Sequence, residues 1–293
     1  MERYIIMLDI TVFILKNKFH TEKRTISHNH DTLINCHDSL KIEIDQYKIN
    51  GEIHVIDTED IPCRCQSNLI CFLDQNIFIP SDFLNRAVAL NNLFRDGGVF
   101  CGPVYTKWEG KPSGFAKSIE KNYHKYDLHF GNSQVCDITN EEHNYPSLVG
   151  SIVSGAAYNE VGYMPVLSPR HASRDNKGFI QKIARKYKIL YSVGLLKTQY
   201  LTSVDTEIDM LSDYYYDLGY QDGVLLANKN IKDKHKELWH RFVSSPELLD
   251  NEMPRWLYED DIKINGPYLE KLVFLKCKYQ IGLYEGMMGQ KLI

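Results

Sequence analysis

The chain has 293 residues, 25% charged and 43% hydrophobic, a balance that excludes disordered, collagen-like and fibrous proteins. A formal net charge of −4 excludes a globally basic nucleic-acid footprint and leaves room only for a local basic patch. No apolar run reaches the roughly 18 residues that a membrane span needs. The runs Tyr4 to Leu8 and Ile10 to Leu15 are too short, and too interrupted by Asp9 and Thr11, for a secretion signal. A soluble, cytoplasmic chain is expected. Its seven cysteines are scattered and odd in number, as reduced thiols and core fillers would be. Cys63 and Cys65 stand too close together for the usual zinc-binding pair.

Ile10 to Leu15 is β-branched and apolar, the pattern of a buried parallel strand. His30 to Ile44 reads as a helix capped by Asp31, with Leu33, Cys36, Leu40 and Ile44 on one face. Asn50-Gly51 ends it, and a second strand runs from Glu52 to Asp57. A third strand, Leu69 to Leu73, leads into Asp74-Gln75-Asn76. Pro80-Ser81-Asp82 opens a helix that buries Phe83, Leu84, Ala87, Leu90 and Leu93, and Gly97-Gly98 closes it. Val99 to Val104 is a fourth strand. The stretch from Tyr105 to Tyr145 is polar and gives no clear element. Val149 to Ala157 is a core-packed helix or strand, Gly178 to Tyr187 a helix, and Lys188 to Val193 another strand. From Asp205 the chain reads as helices rich in Tyr and Trp.

This order predicts an α/β fold, a mostly parallel sheet flanked by helices, with a C-terminal helical extension. Residues 1–203 would form the domain built on this sheet, and 204–293 a helical region packed on it. Ligands of such sheets bind beyond the carboxyl ends of the strands. Asp57 and Asp74-Gln75-Asn76 both occupy such ends, which makes them site candidates on position alone.

Four segments in order resemble the inverting family 2 glycosyltransferases. Ile10-Thr-Val-Phe-Ile-Leu-Lys-Asn17 followed by Asn29 to Leu40 resembles that family's first strand and helix. Glu52 to Asp57 resembles its second strand, and Ile70-Cys-Phe-Leu-Asp-Gln-Asn76 its metal motif. Gly150 to Gly162, Arg174-Asp175 and Lys188 to Tyr191 resemble its donor–acceptor loop, its catalytic Glu-Asp pair and the strand after it. The resemblance implies a GT-A-like, Rossmann-related fold and transfer of a sugar, with inversion, from a nucleotide donor such as a UDP-sugar. It implies that residues 1–203 are the nucleotide-sugar-binding and catalytic domain, with Asp175 as catalytic base. Asp57, Asp74, Asn76, Lys16 and Gly150 would bind the donor, and Asp74 and Asn76 would hold Mn²⁺ or Mg²⁺. Arg170, His171, Arg174 and Lys177 form a basic cluster suited to the diphosphate or an anionic acceptor.

A nucleoside diphosphate leaves readily only when its charge is neutralised, by a metal or by cationic side chains. The sequence departs from the family there. Asn76 replaces a second Asp and weakens any metal site. Arg174 replaces the Glu before Asp175, and no His follows the last core strand, where Thr198-Gln199 stand instead. The resemblance allows an acceptor hydroxyl on a glycan, on a lipid-linked sugar, or on hydroxymethylated cytosine in bacteriophage DNA, which would place a viral chain in host cytoplasm. Three readings stay open: a transferase, a degenerate scaffold or binding protein of the same fold, and a nucleic-acid-binding module. Each candidate also has a plainer reading. Asp74 to Asn76 suit a turn, Asp175 a helix cap, and Asp57 and the basic cluster a solvated surface. Tyr214 to Tyr216, Trp239, Trp256 and Tyr258, with Lys232 to Lys236, suit ligand contact or helix packing.

Overall fold

The computed structural model describes residues 8–15, 26–57, 60–74, 77–108, 111–115, 135–140, 146, 148–162, 177–201, 208–228 and 269–288. They belong to two compact units. The first carries strands β1 (Leu8–Leu15), β2 (Gly51–Ile56), β3 (Ser67–Asp74), β4 (Ile77–Phe78) and β5 (Gly97–Cys101). It also carries β6 (Val104–Trp108), β7 (Val135–Asp137), β8 (Ile152–Ser154), β9 (Lys188–Ser192) and β10 (Lys197–Leu201). Its helices are α1 (Ile26–Tyr47), α2 (Phe83–Leu93), α3 (Gly155–Val161) and α4 (Lys177–Ala184). The second unit carries α5 (Ile208–Asn228) and α6 (Leu269–Met288).

A seven-stranded sheet has the order β2-β1-β3-β8-β5-β9-β7. β1 pairs in parallel with β2 and β3, and β5 with β9, while β8 and β7 run against their neighbours. The α/β class and the mostly parallel sheet expected from the sequence are therefore present. A smaller sheet, β4-β10-β6, adjoins the ends of β3 and β5 in the chain.

The alternating strand residues build a core on each face of the large sheet. Ile10, Val12, Ile14, Leu69, Cys71 and Leu73 pack with Cys36 and Leu40 of α1 and with Phe83, Leu84, Ala87 and Leu90 of α2. Phe13, Leu15, Ile70, Phe72 and Val99 pack with Tyr158 of α3 and with Phe179, Ile180 and Ile183 of α4. Burying one side chain of this kind is worth roughly 1.5–3 kcal/mol, so the two-faced strands dominate stability.

Several local expectations need correction. α1 begins at Ile26, so Asp31 lies inside it and does not cap it. α1 ends where Lys48 turns left-handed at φ 53° and Ile49 N–H reaches back to Ile44 O at 3.0 Å, before Asn50-Gly51. Leu93 is 76% exposed, because the buried face continues from Leu90 to Phe94. Gly97 and Gly98 open β5 rather than close α2. A Cβ on Gly98 would sit 2.4 Å from the Cβ of Tyr187, so the glycine serves close approach. β6, β7 and β10 fall where the sequence pattern gave no strand.

The start of α2 is capped from outside. Asp82 stands at the N-cap position but makes no side-chain cap bond. Its carboxylate takes Arg86 Nε at 2.7 Å instead. Glu43 of α1 does the capping, accepting Asn85 N–H at 3.0 Å. Burial pushes the Glu43 carboxyl above its ordinary value, and its Oε2 has no hydrogen-bond partner among the described residues. Glu43→Ala should cost about 1 kcal/mol in urea unfolding. Folding disfavours ionised Glu43, so wild-type stability should fall, relative to Glu43→Gln, as pH rises above the ordinary value of 4.5. Unfolding curves at pH 4 and pH 7 test the sign.

In the second unit, α5 and α6 are parallel and touch backbone to backbone. A Cβ on Gly219 would lie 1.9 Å from Tyr279 O, on Gly223 2.1 Å from Leu283 O, on Gly282 2.0 Å from Tyr216 O, and on Gly286 2.0 Å from Tyr220 O. Two Gly-x-x-x-Gly pairs interlock. Tyr216, fully buried, donates its hydroxyl to Glu285. Tyr215 and Tyr216 are thus packing residues, while Tyr214 is 37% exposed. Among the described residues no helix is long and apolar enough to cross a membrane. Gly219→Ala or Gly282→Ala should separate the two helices at a cost of about 1–3 kcal/mol. Hydrogen exchange should then show lost protection across α5 and α6 alone.

Candidate functional site

The carboxyl ends of β1, β2, β3, β5 and β9 face one edge of the large sheet, as their shared direction requires. Leu15, the last residue of β1, pairs with Ile56 on one side and Asp74 on the other. Asp57 follows Ile56. Asp57 and Asp74 therefore flank β1, two strand spacings apart, roughly 10 Å. The connection from β1 leads outward to β2, and that from β3 leads the other way to β5. Such a parting of connections opens a crevice at the carboxyl edge, the usual ligand position in sheets of this kind.

Asp74 is 8% exposed. Its charge is felt by Cys36 of α1, whose thiol burial and that carboxylate together push up to about 12. The thiols of Cys71 and Cys101 are also raised by burial, Cys101 to about 12, so all three are inert core groups at neutral pH. All seven cysteines are free.

Gly150 joins this edge from β8. Its N–H donates to Phe72 O at 2.6 Å, two residues before Asp74, and Phe72 N–H donates to Ser151 O at 3.1 Å. Gly150 has φ +85°, a conformation that suits glycine. Its carbonyl accepts the ammonium of Lys197. Lys197 opens β10, where its N–H donates to Pro103 O at 2.9 Å. Its side chain is 1% exposed, with Nζ 5.9 Å from the centre of the Phe83 ring. Burial lowers its ionisation to about 8, opposed by the neighbouring Cys101 and Cys71.

The structure thus brings Asp57, Asp74 and Gly150 to one edge and adds Lys197. Lys16, Asn76, Arg170, His171, Arg174 and Asp175 lie outside the described residues, as do Trp239, Trp256 and Tyr258. Lys177 is the first residue of α4, and its side chain is likewise not described. Sequence reasoning looked for a His near Thr198-Gln199 and passed over Lys197 beside them. A lysine between two short strands reads as surface, and only the tertiary fold reveals its burial.

The fit to a divalent cation can be judged on the described side chains. No group of three His, Cys, Asp or Glu side chains converges among them. Asp74 is the one acidic member of the metal motif they include, and a single carboxylate does not complete a coordination shell. The described residues alone do not fit a tightly held metal.

No family model and no curated protein matches the sequence. Among solved structures the chain is similar to S. aureus TarS. The form comprising residues 1–349 in complex with UDP-GlcNAc superposes at TM-score 0.42 with 12% identity, over 98% of this chain and 93% of that one. The same TarS segment without ligand gives TM-score 0.38 at 12% identity, over 98% and 93% of the two chains. Its complex with UDP gives TM-score 0.35 at 11% identity, over 97% and 93%. At that level the likeness is loose, and the site stands on its own residues.

The buried lysine carries a linkage prediction. A Lys whose ionisation is lowered on folding binds its proton more weakly in the native state than in the unfolded chain. Stability should therefore rise with pH between about 8 and the ordinary 10.5. Lys197→Met should lack that component. Thermal unfolding of both proteins across pH 7 to 10.5 measures the difference, and equal slopes would count against the buried charge.

Proposed function

We propose that the chain is a glycosyltransferase that moves a sugar from a nucleotide donor to a hydroxyl acceptor with inversion. The observation that carries this reading is the position of Asp74. It is a nearly buried carboxylate at the carboxyl edge, where the connections of β1 and β3 part, flanked by Asp57 and by the Gly150 turn. The family resemblance supports the same reading and makes a UDP-sugar the first donor to consider. Asp57 would meet the base, Asp74 and Asn76 the diphosphate end, with Lys16 and Gly150 lining the donor. Asp175 would take the acceptor's proton as its oxygen attacks the anomeric carbon. Arg170, His171, Arg174 and Lys177 would grip the diphosphate or an anionic acceptor. That acceptor is a glycan hydroxyl or a hydroxymethylated base of phage DNA.

Mn²⁺ or Mg²⁺ would lie against Asp74 and neutralise part of the diphosphate charge when bound. Asn76 offers a carbonyl oxygen without charge, so the ion would be held weakly. A degenerate scaffold is the competing reading, favoured by the loss of the second Asp and of the Glu before Asp175.

Calorimetric titration of UDP into wild type and Asp74→Ala, with and without Mn²⁺, tests the reading. UDP should bind wild type, and Asp74→Ala should lose the increment that Mn²⁺ adds, about tenfold or more. If neither UDP nor any other nucleoside diphosphate binds wild type, the transferase reading fails and the scaffold stands.

A further inference from the structure

We infer that Lys197 is the fixed positive charge of this donor site, a buried ammonium seated on the Gly150 carbonyl that holds a nucleoside diphosphate at the carboxyl edge. The inference rests on the reading of that edge as a nucleotide-sugar site.

A lysine ammonium has three donors and is seldom fully buried without a carboxylate partner. Lys197 is 1% exposed, yet its one hydrogen-bond acceptor among the described residues is Gly150 O, and no described carboxylate pairs with it. The centre of the Phe83 ring lies 5.9 Å from its Nζ, and the thiols of Cys71 and Cys101 are near enough to act on its charge. An apolar side chain of the same length would fill this space at lower cost. The charge is therefore not there for packing.

Its place says what the charge serves. The Gly150 peptide that it touches is bonded to Phe72, two residues from Asp74. Gly150 has no side chain, and a Cβ there would stand 3.2 Å from Lys197 Cε. The amine thus lies beneath the turn that borders the crevice, with only a peptide group at that point. A charge in an apolar surround is felt several ångströms away, because little solvent screens it. An anion placed over the Gly150 turn is attracted. That arrangement matches a site whose metal motif has lost one of its two carboxylates, at Asn76. Lys197 is a binding residue acting from below, not a catalytic one.

Calorimetry of UDP and of uridine, in EDTA, with wild type and Lys197→Met separates this role from a structural one. UDP affinity should fall about tenfold or more in the variant, uridine affinity should stay unchanged, and the melting temperature should be equal or higher. Equal losses for UDP and uridine would mark a structural prop and overturn the inference, as would unchanged UDP affinity. Lys197→Gln, neutral but able to donate to Gly150, replaces the Met variant if that does not fold, with the same expectations. Wild type alone offers a further check. In EDTA it must bind UDP more tightly than uridine, and equal affinities overturn the inference. If wild type binds neither ligand, with or without Mn²⁺, the donor-site reading itself has failed and this inference with it.

Discussion

The parallel pairing of β1 with β3 is the constraint on which the rest of the first unit depends. Its register sets Leu15 opposite Asp74 at one end and Leu8 opposite Ser67 at the other. Side chains alternate between faces along a strand, so a slip of one residue would exchange the two cores. Both faces of β1 and β3 are buried, and the exchange would bring mismatched volumes against α1 and α2 on one side and α3 and α4 on the other. A polar clasp adds direction. Thr11 Oγ1 donates to Glu52 Oε1 at 3.0 Å and also meets Ser67 Oγ, tying β1 to both neighbours through side chains. Fixing that register fixes Asp74 at the edge, and Asp57 follows through β2.

The interior then carries polar groups in unequal circumstances. Thr11 is satisfied twice. Glu43 is half satisfied, with one oxygen on the start of α2 and the other without a partner among the described residues. It does work that Asp82, occupied by Arg86, leaves undone. Lys197 is the extreme case, a full charge on one carbonyl. Burying polar groups costs free energy unless they are bonded, so Glu43 and Lys197 lower stability in proportion to what they leave unpaired. Glu43 more than recovers that as a helix cap. Lys197 returns little to the fold beyond joining β10 to the Gly150 turn.

Much of this was legible in the sequence because the large sheet is buried on both sides. Ile10 to Leu15, Leu69 to Leu73 and Lys188 to Val193 are dense apolar runs, and such runs announce central strands. The helix faces of Cys36, Leu40, Phe83, Leu84, Ala87 and Leu90 followed from period alone. β6, β7 and β10 did not, since Val104 to Trp108 and Lys197 to Leu201 mix Lys, Thr, Gln and aromatics as short strands at the side of a fold do. Asp31 misled because a good capping residue in the middle of a helix looks the same as one at its start. Gly97-Gly98 misled because glycine marks both helix ends and close approaches, and only the position of Tyr187 distinguishes them. Of the candidate site, Asp57 and Asp74 were legible as strand-end residues, and Gly150 only through the family resemblance. Lys197 was not, because burial of a lysine belongs to the tertiary fold and leaves no local mark.

Charge balance at the edge ties these observations together. Asp74 is nearly buried and close enough to Cys36 to raise its thiol. In a site with two acidic ligands a divalent cation is the natural counter-charge. Here Asn76 stands where a second acid would, and a buried ammonium sits on the Gly150 carbonyl. A built-in ammonium needs no free ion and keeps one geometry set by β10 and the Gly150 turn. On the proposed donor reading, such a site would rely on the weaker, built-in charge of Lys197 where the family it resembles relies on a metal.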